Sequence, residues 1–152
     1  MTVGHVADGV IAVSESTVVD APLAEVWAFM DDPHNQPEIS PSITDVRNVE
    51  QDETGKSLAY TYRMAGVPVD GSMTTSVYEP EERVVFDLEG PLSGTITWEL
   101  EAVDDGRTRV TYAASYELPS KVLESVVRRL AERYNERELR TTLENLQTRL
   151  EA

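Results

Sequence analysis

The feature that most constrains this fold is the alternation of apolar and polar side chains that recurs between residues 56 and 118. In residues 93–103, Ile96, Trp98 and Leu100 alternate with polar neighbours. A period of two is typical of β-strands with one buried face and one solvated face. Turn signals separate five such strands, which we predict at 56–65, 69–78, 83–89, 93–103 and 107–118. Because tight turns join antiparallel neighbours, the sequence predicts an antiparallel sheet.

Two further strands are predicted upstream. Residues 9–20 are rich in small and β-branched residues in near alternation, which favours a first strand. Residues 43–52 give a weaker pattern, because Ile43, Val46 and Val49 are spaced by three. This spacing suggests a β-bulge or a partly edge strand.

A short helix is predicted between these two strands. It starts with either Asp20 as its N-cap or Pro22 at its first helical position. Its apolar stripe consists of Leu23, Val26, Trp27 and Met30. The three prolines in residues 33–41 then permit no more than a short turn or one irregular helical turn.

The C-terminal segment predicts a long helix over 119–150, or two nearly continuous ones, because no glycine or proline follows Pro119. Its apolar residues form two stripes on different sides: Leu123, Val127, Leu130 and Tyr134, and then Leu139, Leu143, Leu146 and Leu150. Either the helix kinks near Asn135, or its two halves face different neighbours. The second stripe could pack in the core or form a dimer seam, and we favour the core.

A sheet with one polar face has to bury its other face, and the long helix is the one predicted element large enough to cover it. We therefore predict a single α+β domain over residues 1–152, with a frayed segment at 1–8. In this domain a curved antiparallel sheet of about seven strands wraps around the C-terminal helix, and one or two short helices follow the first strand.

The chain carries 28 acidic and 13 basic residues, a net charge of −15. The carboxylates are spread along the sequence, which argues against an acidic tail. Two interpretations compete: a surface adapted to molar salt, where charges are strongly screened, and an acidic mesophilic protein. We favour the halophilic interpretation. A surface this acidic would repel a polyanion, so we expect no nucleic-acid partner.

Metal and redox chemistry have little support in the composition. The chain has no cysteine and two histidines, which excludes disulfides and thiolate metal sites. The pairs Asp31–Asp32 and Asp104–Asp105 lack the ligand spacing of a calcium loop. We predict neither a metal nor a cofactor. Because no long apolar run or signal-like start is present, we also expect no membrane span and a cytoplasmic location.

Several short motifs resemble the START-like superfamily, also called Bet v 1-like or SRPBCC, and within it the polyketide cyclase/dehydrase and lipid transport grouping. They are Asp20-Ala21-Pro22, Glu25-Val26-Trp27, Asp32-Pro33, the segment 37–42 and Leu143-Glu144-Asn145-Leu146. The chain departs from many members at Ile39, where tryptophan is common. The resemblance covers nearly the whole chain, and it implies a helix-grip fold with a cavity for apolar ligands between sheet and helix.

The residues expected to line that cavity lie on the apolar sides of their strands and helices. They are Trp27, Met30, Tyr60, Tyr62, Met73, Thr75, Phe86, Trp98, Tyr112, Tyr116, Val127, Leu130 and Tyr134. Buried tyrosine hydroxyls need hydrogen-bond partners. The four strand tyrosines therefore either pair within a packed aromatic core or face water or a ligand in a cavity, which the resemblance favours.

Catalytic residues are harder to assign. Alternation directs the strand carboxylates outward: Asp70, Asp87, Glu89, Glu99, Glu101 and Glu117. Arg63 lies on an outward face as well. His34, in the proline-rich turn, is either a general base near the cavity mouth or an exposed loop residue, and we favour the second. The catalytic residues stay unassigned.

Three functions follow. The first is binding or transfer of a small hydrophobic molecule, such as a lipid, an isoprenoid, a quinone or a polyketide-like compound, in a cavity of several hundred cubic ångströms. The second is a polyketide cyclase/dehydratase-type enzyme. The third is a protein-interaction partner of a larger complex. We favour the first, in a protein that is a monomer or a weak homodimer.

The acidic surface gives a direct prediction about salt. If it is an adaptation to molar salt, the thermal unfolding midpoint should be clearly higher in ~2 M than in ~0.1 M salt, because screening removes carboxylate self-repulsion. Differential scanning fluorimetry across a salt series measures this. Equal midpoints at both concentrations would contradict the halophilic interpretation.

Overall fold

The computed structural model describes residues 10–64, 67–91, 93–117 and 125–151, without the side chains of Val10, Met64, Val67 and residues 125–131. Strand β1 (Val10–Val19) leads into helix α1 (Leu23–Asp31), a single 3-10 turn (Pro33–Asn35) and the one-turn helix α2 (Gln36–Ile39). Six strands follow: β2 (Ile43–Asp52), β3 (Gly55–Met64), β4 (Val67–Glu79), β5 (Arg83–Glu89), β6 (Ser93–Asp104) and β7 (Arg107–Glu117). Helix α3 (Ser125–Glu151) ends the described chain.

The seven described strands form one antiparallel, curved sheet in the order β1-β7-β6-β5-β4-β3-β2. Strands β2 to β6 each pair with the next strand along the chain, and β7 pairs in addition with β1. Helix α3 packs mainly against β1. This arrangement confirms the predicted α+β helix-grip architecture with short helices after the first strand.

Strand β2 is bulged, as the three-residue spacing of its apolar positions suggested. Its register with β3 shifts between Ile43 and Asp45 and again between Arg47 and Glu50. Asn48 adopts a positive φ of 55°, a conformation that asparagine tolerates better than most residues. The bulges let both Ile43 and Val46 reach the interior, although strict alternation would separate them.

Two predicted boundaries were wrong. Helix α1 begins at Leu23, with Pro22 in the capping position and extended at ψ 151°, while the Asp20 backbone N–H donates to Glu151 Oε2 at 2.9 Å. Strand β4 starts before Pro68 rather than after it. Pro68 is tolerated because it pairs with Arg63 of β3, whereas β5 first pairs with β4 at Ser72. Pro68 therefore lies where β4 has one neighbouring strand.

Helix α3 is continuous over its described length, so the two predicted stripes need no kink there. Leu139, Leu143 and Leu146 are at most 3% exposed and belong to the core, and Leu150 packs against it. The leucines of the second stripe therefore pack internally rather than form a seam. Of the first stripe, Leu123 lies outside the described residues.

The strand carboxylates lie where alternation directs them. Exposed positions are occupied by Asp70, Asp87, Glu89, Glu99, Glu101 and Glu117, and Arg63 is exposed as well. Apart from Thr108 on β7, the buried inward positions of the same strands hold apolar and tyrosine side chains. Much of the net charge thus lies outside the core.

Gly94 should be irreplaceable, and Gly106 offers a matched control. Gly94 has a φ of 157°, and a Cβ there would lie 2.0 Å from the Ser115 carbonyl oxygen on β7. A Cβ on Gly106 would have no atom within 4 Å. We expect Gly94→Ala to lower the free energy of unfolding by about 2–4 kcal/mol through strain and overpacking, and Gly106→Ala to change it by less than about 0.5 kcal/mol. Urea denaturation of both variants measures this, and equal effects would contradict the β6–β7 register.

Candidate functional site

A cavity of about 60 Å³ lies in the interior of the domain. Its wall combines the C-terminal half of α1 with the inward faces of strands β2 to β7. The lining residues are Trp27, Met30, Asp31, Pro33, Gln36, Ile43, Val46, Lys56, Leu58, Tyr60, Met73, Val84, Phe86, Ile96, Trp98, Leu100 and Tyr112. Most of them are apolar or aromatic, which suits an apolar ligand.

The strand register explains the aromatic wall. Trp98 on β6 lies directly opposite Tyr112 on β7, and the two rings stack with centroids 3.9 Å apart and planes 10° from parallel. Trp98 also pairs with Val84 of β5 on its other side. Side chains opposite each other on one face of a sheet pack together, so the pairing builds a rigid surface.

A second cavity of about 40 Å³ lies beside the first. The two share the wall residues Ile43, Tyr60, Met73, Ile96 and Tyr112. The second is completed by Tyr62, Leu88, Ala114, Tyr116, Asn135, Glu138 and Leu139, and so reaches helix α3. A small set of shared side chains therefore separates the two spaces.

Both cavities are much smaller than the several hundred cubic ångströms predicted from the sequence. A water molecule needs at least about 10–15 Å³ of such space, so the first cavity has room for only a few waters. Neither cavity, as bounded by the described side chains, is large enough for a long-chain ligand. The interior is thus intermediate between the open cavity and the packed aromatic core that the sequence left as alternatives.

The structure distributes the predicted site residues over several places. The first cavity is lined by Trp27, Met30, Tyr60, Met73, Phe86, Trp98 and Tyr112. Tyr62 and Tyr116 line the second cavity. Val127 and Leu130 lie in helix α3, and their side chains are outside the described part of the structure. Thr75 and Tyr134 line neither cavity.

Thr75 and Tyr134 instead form local hydrogen bonds. The Thr75 hydroxyl accepts from the Lys56 backbone N–H and donates to the Lys56 carbonyl, each at 3.0 Å. The Tyr134 hydroxyl donates to the Arg63 carbonyl at 2.8 Å and contacts the Ser42 hydroxyl. Both side chains hold backbone segments together.

Tyr60 carries a buried hydroxyl for which the described residues provide no hydrogen-bond partner. Its ring lies over Gly71 of β4, and a Cβ on Gly71 would come within 2.7 Å of the Tyr60 oxygen. Burial raises the pKa of Tyr60 to about 12, so the hydroxyl stays protonated and can donate. An unpartnered buried hydroxyl costs about 1–3 kcal/mol, which makes this position notable in the cavity wall.

Tyr116 is the second such case. Its hydroxyl also lacks a hydrogen-bond partner of acceptable geometry among the described residues. The side chain of Asn135 is nevertheless near enough to lower the pKa of Tyr116 in part. Burial, followed by the neighbouring Tyr112 and Tyr134, raises the pKa of Tyr116. The adjacent Tyr62 hydroxyl is satisfied, because it donates to Asn135 Oδ1 at 3.0 Å.

An ion pair between the buried Lys56 and the partly exposed Asp31, which the sequence analysis missed, contributes to the wall of the first cavity. Lys56 Nζ donates to Asp31 Oδ1 and to the Asp31 backbone carbonyl, both at 2.7 Å. The Tyr78 hydroxyl donates to the same Asp31 Oδ1 at 2.8 Å. Burial first, and then the Asp31 carboxylate, raise the pKa of Tyr78 to about 12. A signal for Lys56 was present, because it has the same parity on β3 as Leu58 and Tyr60.

Glu138 and Asn135 on helix α3 supply the polar side of the second cavity. Both are buried. Glu138 Oε2 accepts the Ser42 backbone N–H at 3.0 Å, and the charge of Glu138 contributes, after burial, to raising the pKa of Tyr112. The signal that could have found them is helical: both lie three or four residues from Leu139 or Thr142 on one buried stripe.

The other candidates for chemistry lie outside the cavities. His34 is exposed in the 3-10 turn, where its Nδ1 lies 3.2 Å from Asp32 Oδ1. In the part of the chain that the structure describes, no group of three His, Asp or Glu side chains could hold a metal ion. No described helix is both long and apolar enough to cross a bilayer.

Comparison with solved structures identifies the fold. The chain is similar to the ZhuI aromatase/cyclase from Streptomyces sp. R1128, with 16% identity, a TM-score of 0.79 and coverage of 93% of this chain and 94% of that one. A protein from Thermus thermophilus gives 18% identity and a TM-score of 0.81 over 91% and 96% of the two chains. A START superfamily protein from Mycobacterium smegmatis gives 18% identity and a TM-score of 0.73, with coverage of 92% of this chain and 97% of that one. At these identities the similarity shows a shared fold.

Sequence comparison identifies the family. No curated protein has a significantly similar sequence. The family model described as "Polyketide cyclase / dehydrase and lipid transport" matches residues 10–151, nearly the whole chain. The chain therefore belongs to the polyketide cyclase/dehydrase and lipid transport family.

Proposed function

We propose that this protein binds a compact, ring-shaped apolar molecule that carries a polar oxygen. The observation that supports this most is the aromatic-walled cavity system whose wall holds two buried tyrosine hydroxyls, on Tyr60 and Tyr116, without partners among the described residues. Apolar walls with a few polar groups are the usual composition of small-molecule sites. A polar oxygen on the ligand could supply a hydrogen bond that these hydroxyls lack.

The cavity sizes favour a compact ligand over a long chain. A dry cavity of about 150 Å³ accommodates benzene in another protein, so neither space here is large enough by itself. Even joined, the two spaces fall short of that volume, so a ring requires the shared side chains to move outward, and Met73 is the most flexible of them. Such side-chain movement could make room for one ring, whereas a long acyl chain would require the sheet and helix to separate. We therefore favour a polyketide-like or other aromatic ligand over a lipid.

A second candidate function is catalysis of the cyclase or dehydratase type. The similar fold of the ZhuI aromatase/cyclase and the family match are consistent with it. The specific observation in its favour is that Asp31, Lys56 and Glu138 contribute to the cavity walls, whereas the cavity residues predicted from the sequence included no acid, lysine, arginine or histidine. The Glu138 carboxylate could accept a proton from a bound ligand.

The Tyr60 hydroxyl provides a test of the binding proposal. We expect Tyr60→Phe to raise the free energy of unfolding of the ligand-free protein by about 1 kcal/mol, because it removes an unpartnered buried hydroxyl. It should also weaken p-cresol binding about fivefold while leaving toluene binding unchanged. Trp27 and Trp98 are the two tryptophans of the chain and both line the cavity, so their emission reports the titration.

Tyr134→Phe is the matched control. Its hydroxyl is bonded to Arg63 and lies outside both linings, so this change should lower stability and leave both dissociation constants unchanged. If neither p-cresol nor toluene changes tryptophan emission, or if Tyr60→Phe destabilises the protein and leaves p-cresol binding intact, the proposal is wrong.

A further inference from the structure

We propose that Lys56 is the polar anchor of the ligand, and that its ammonium group donates a hydrogen bond to a neutral carbonyl oxygen. The inference rests on the proposed function, since it names the chemical class that the cavity selects. It assigns a binding role to a residue that also ties helix α1 to strand β3.

The donor count leaves one N–H available. A lysine ammonium has three hydrogen-bond donors and no acceptor. Two of them go to Asp31, one to its carboxylate and one to its backbone carbonyl, both at 2.7 Å. Among the described residues Lys56 Nζ makes no third hydrogen bond. The side chain is 2% exposed, so bulk water does not readily satisfy the third donor.

The position of the ammonium places this donor beside the cavity. Lys56 is itself a wall residue, and its Nζ lies 5.9 Å from the ring centroid of Phe86, another wall residue. Lys56 Nζ also lies 5.6 Å from the ring centroid of Tyr78 on β4. The two ring faces favour the cation electrostatically and form no hydrogen bond to its N–H groups. A ligand oxygen in the cavity could complete the ammonium's hydrogen bonds.

The charge balance selects a neutral oxygen. Asp31 already compensates the charge of Lys56, and its Oδ1 also accepts the Tyr78 hydroxyl at 2.8 Å. A ligand carboxylate would therefore add an uncompensated negative charge to a buried site, which is costly. A ketone or aldehyde oxygen accepts the hydrogen bond without that cost. The site should thus prefer a carbonyl compound over the corresponding acid.

Three one-ring probes test this on the full-length protein by isothermal titration calorimetry. Acetophenone carries the carbonyl, α-methylstyrene replaces its oxygen with a methylene group, and benzoate carries a carboxylate. We expect acetophenone to bind about tenfold more tightly than α-methylstyrene, because the hydrogen bond involves a charged donor. Benzoate should bind more weakly than acetophenone.

Two substitutions separate the donor from its counter-charge. Lys56→Met keeps the length of the apolar stem and should abolish the preference for acetophenone over α-methylstyrene. Asp31→Asn removes the counter-charge and should tighten benzoate about tenfold relative to acetophenone. Because Lys56→Met leaves the Asp31 carboxylate unpaired, the double variant Lys56→Met/Asp31→Asn serves as the better-folded form, and it should likewise show no preference.

The outcomes distinguish this inference from the proposed function. If acetophenone and α-methylstyrene bind the natural protein equally, the cavity binds apolar rings and the role of Lys56 is wrong. The same holds if the preference for acetophenone survives in both Lys56→Met variants, or if benzoate binds best to the natural protein. If no probe binds, the proposed function and the role of Lys56 both fail.

Discussion

The interior of this domain is constrained by the free-energy cost of burying polar groups between the inner face of the sheet and the helix that covers it. The fold brings Lys56, Asn135 and Glu138 into that interior, and each is bonded to groups on another element. These bonds join α1 to β3 and α3 to the strands and to the segment that follows α2. The same requirement is unmet at Tyr60 and Tyr116, whose hydroxyls have no partner among the described residues. The side chains that hold the elements together therefore also line the proposed binding site.

The strand pattern and the outward carboxylates could be predicted because a period of two fixes both the element and the face of each residue. The bulge in β2 was also visible, since apolar residues spaced by three cannot share one face of a regular strand. Thr75 was assigned to the cavity because it alternates in step with the inward residues of β4. The register of β4 shifts between Thr75 and Val77, and the Thr75 hydroxyl is bonded to the Lys56 backbone. Parity does not predict such an arrangement.

The buried charges were missed for a different reason. Lys56 has the inward parity of β3, but a lysine is almost never fully buried unless it is paired. Its partner Asp31 lies 25 residues away at the end of α1, and no local pattern joins the two. Cavity volume is also beyond sequence patterns, because it depends on how aromatic side chains such as Trp98 and Tyr112 pack. Knowing which residues face inward does not fix how much space they leave.

The central claim is that these residues form a binding site rather than an imperfectly packed core. A high-resolution crystal structure of the protein soaked with acetophenone tests it most directly. We expect the ring to lie between Trp98 and Met73 in one joined cavity, with its oxygen within hydrogen-bond distance of Lys56 Nζ. Two separate cavities without ligand density, with the Tyr60 and Tyr116 hydroxyls bonded to ordered waters, would contradict the claim.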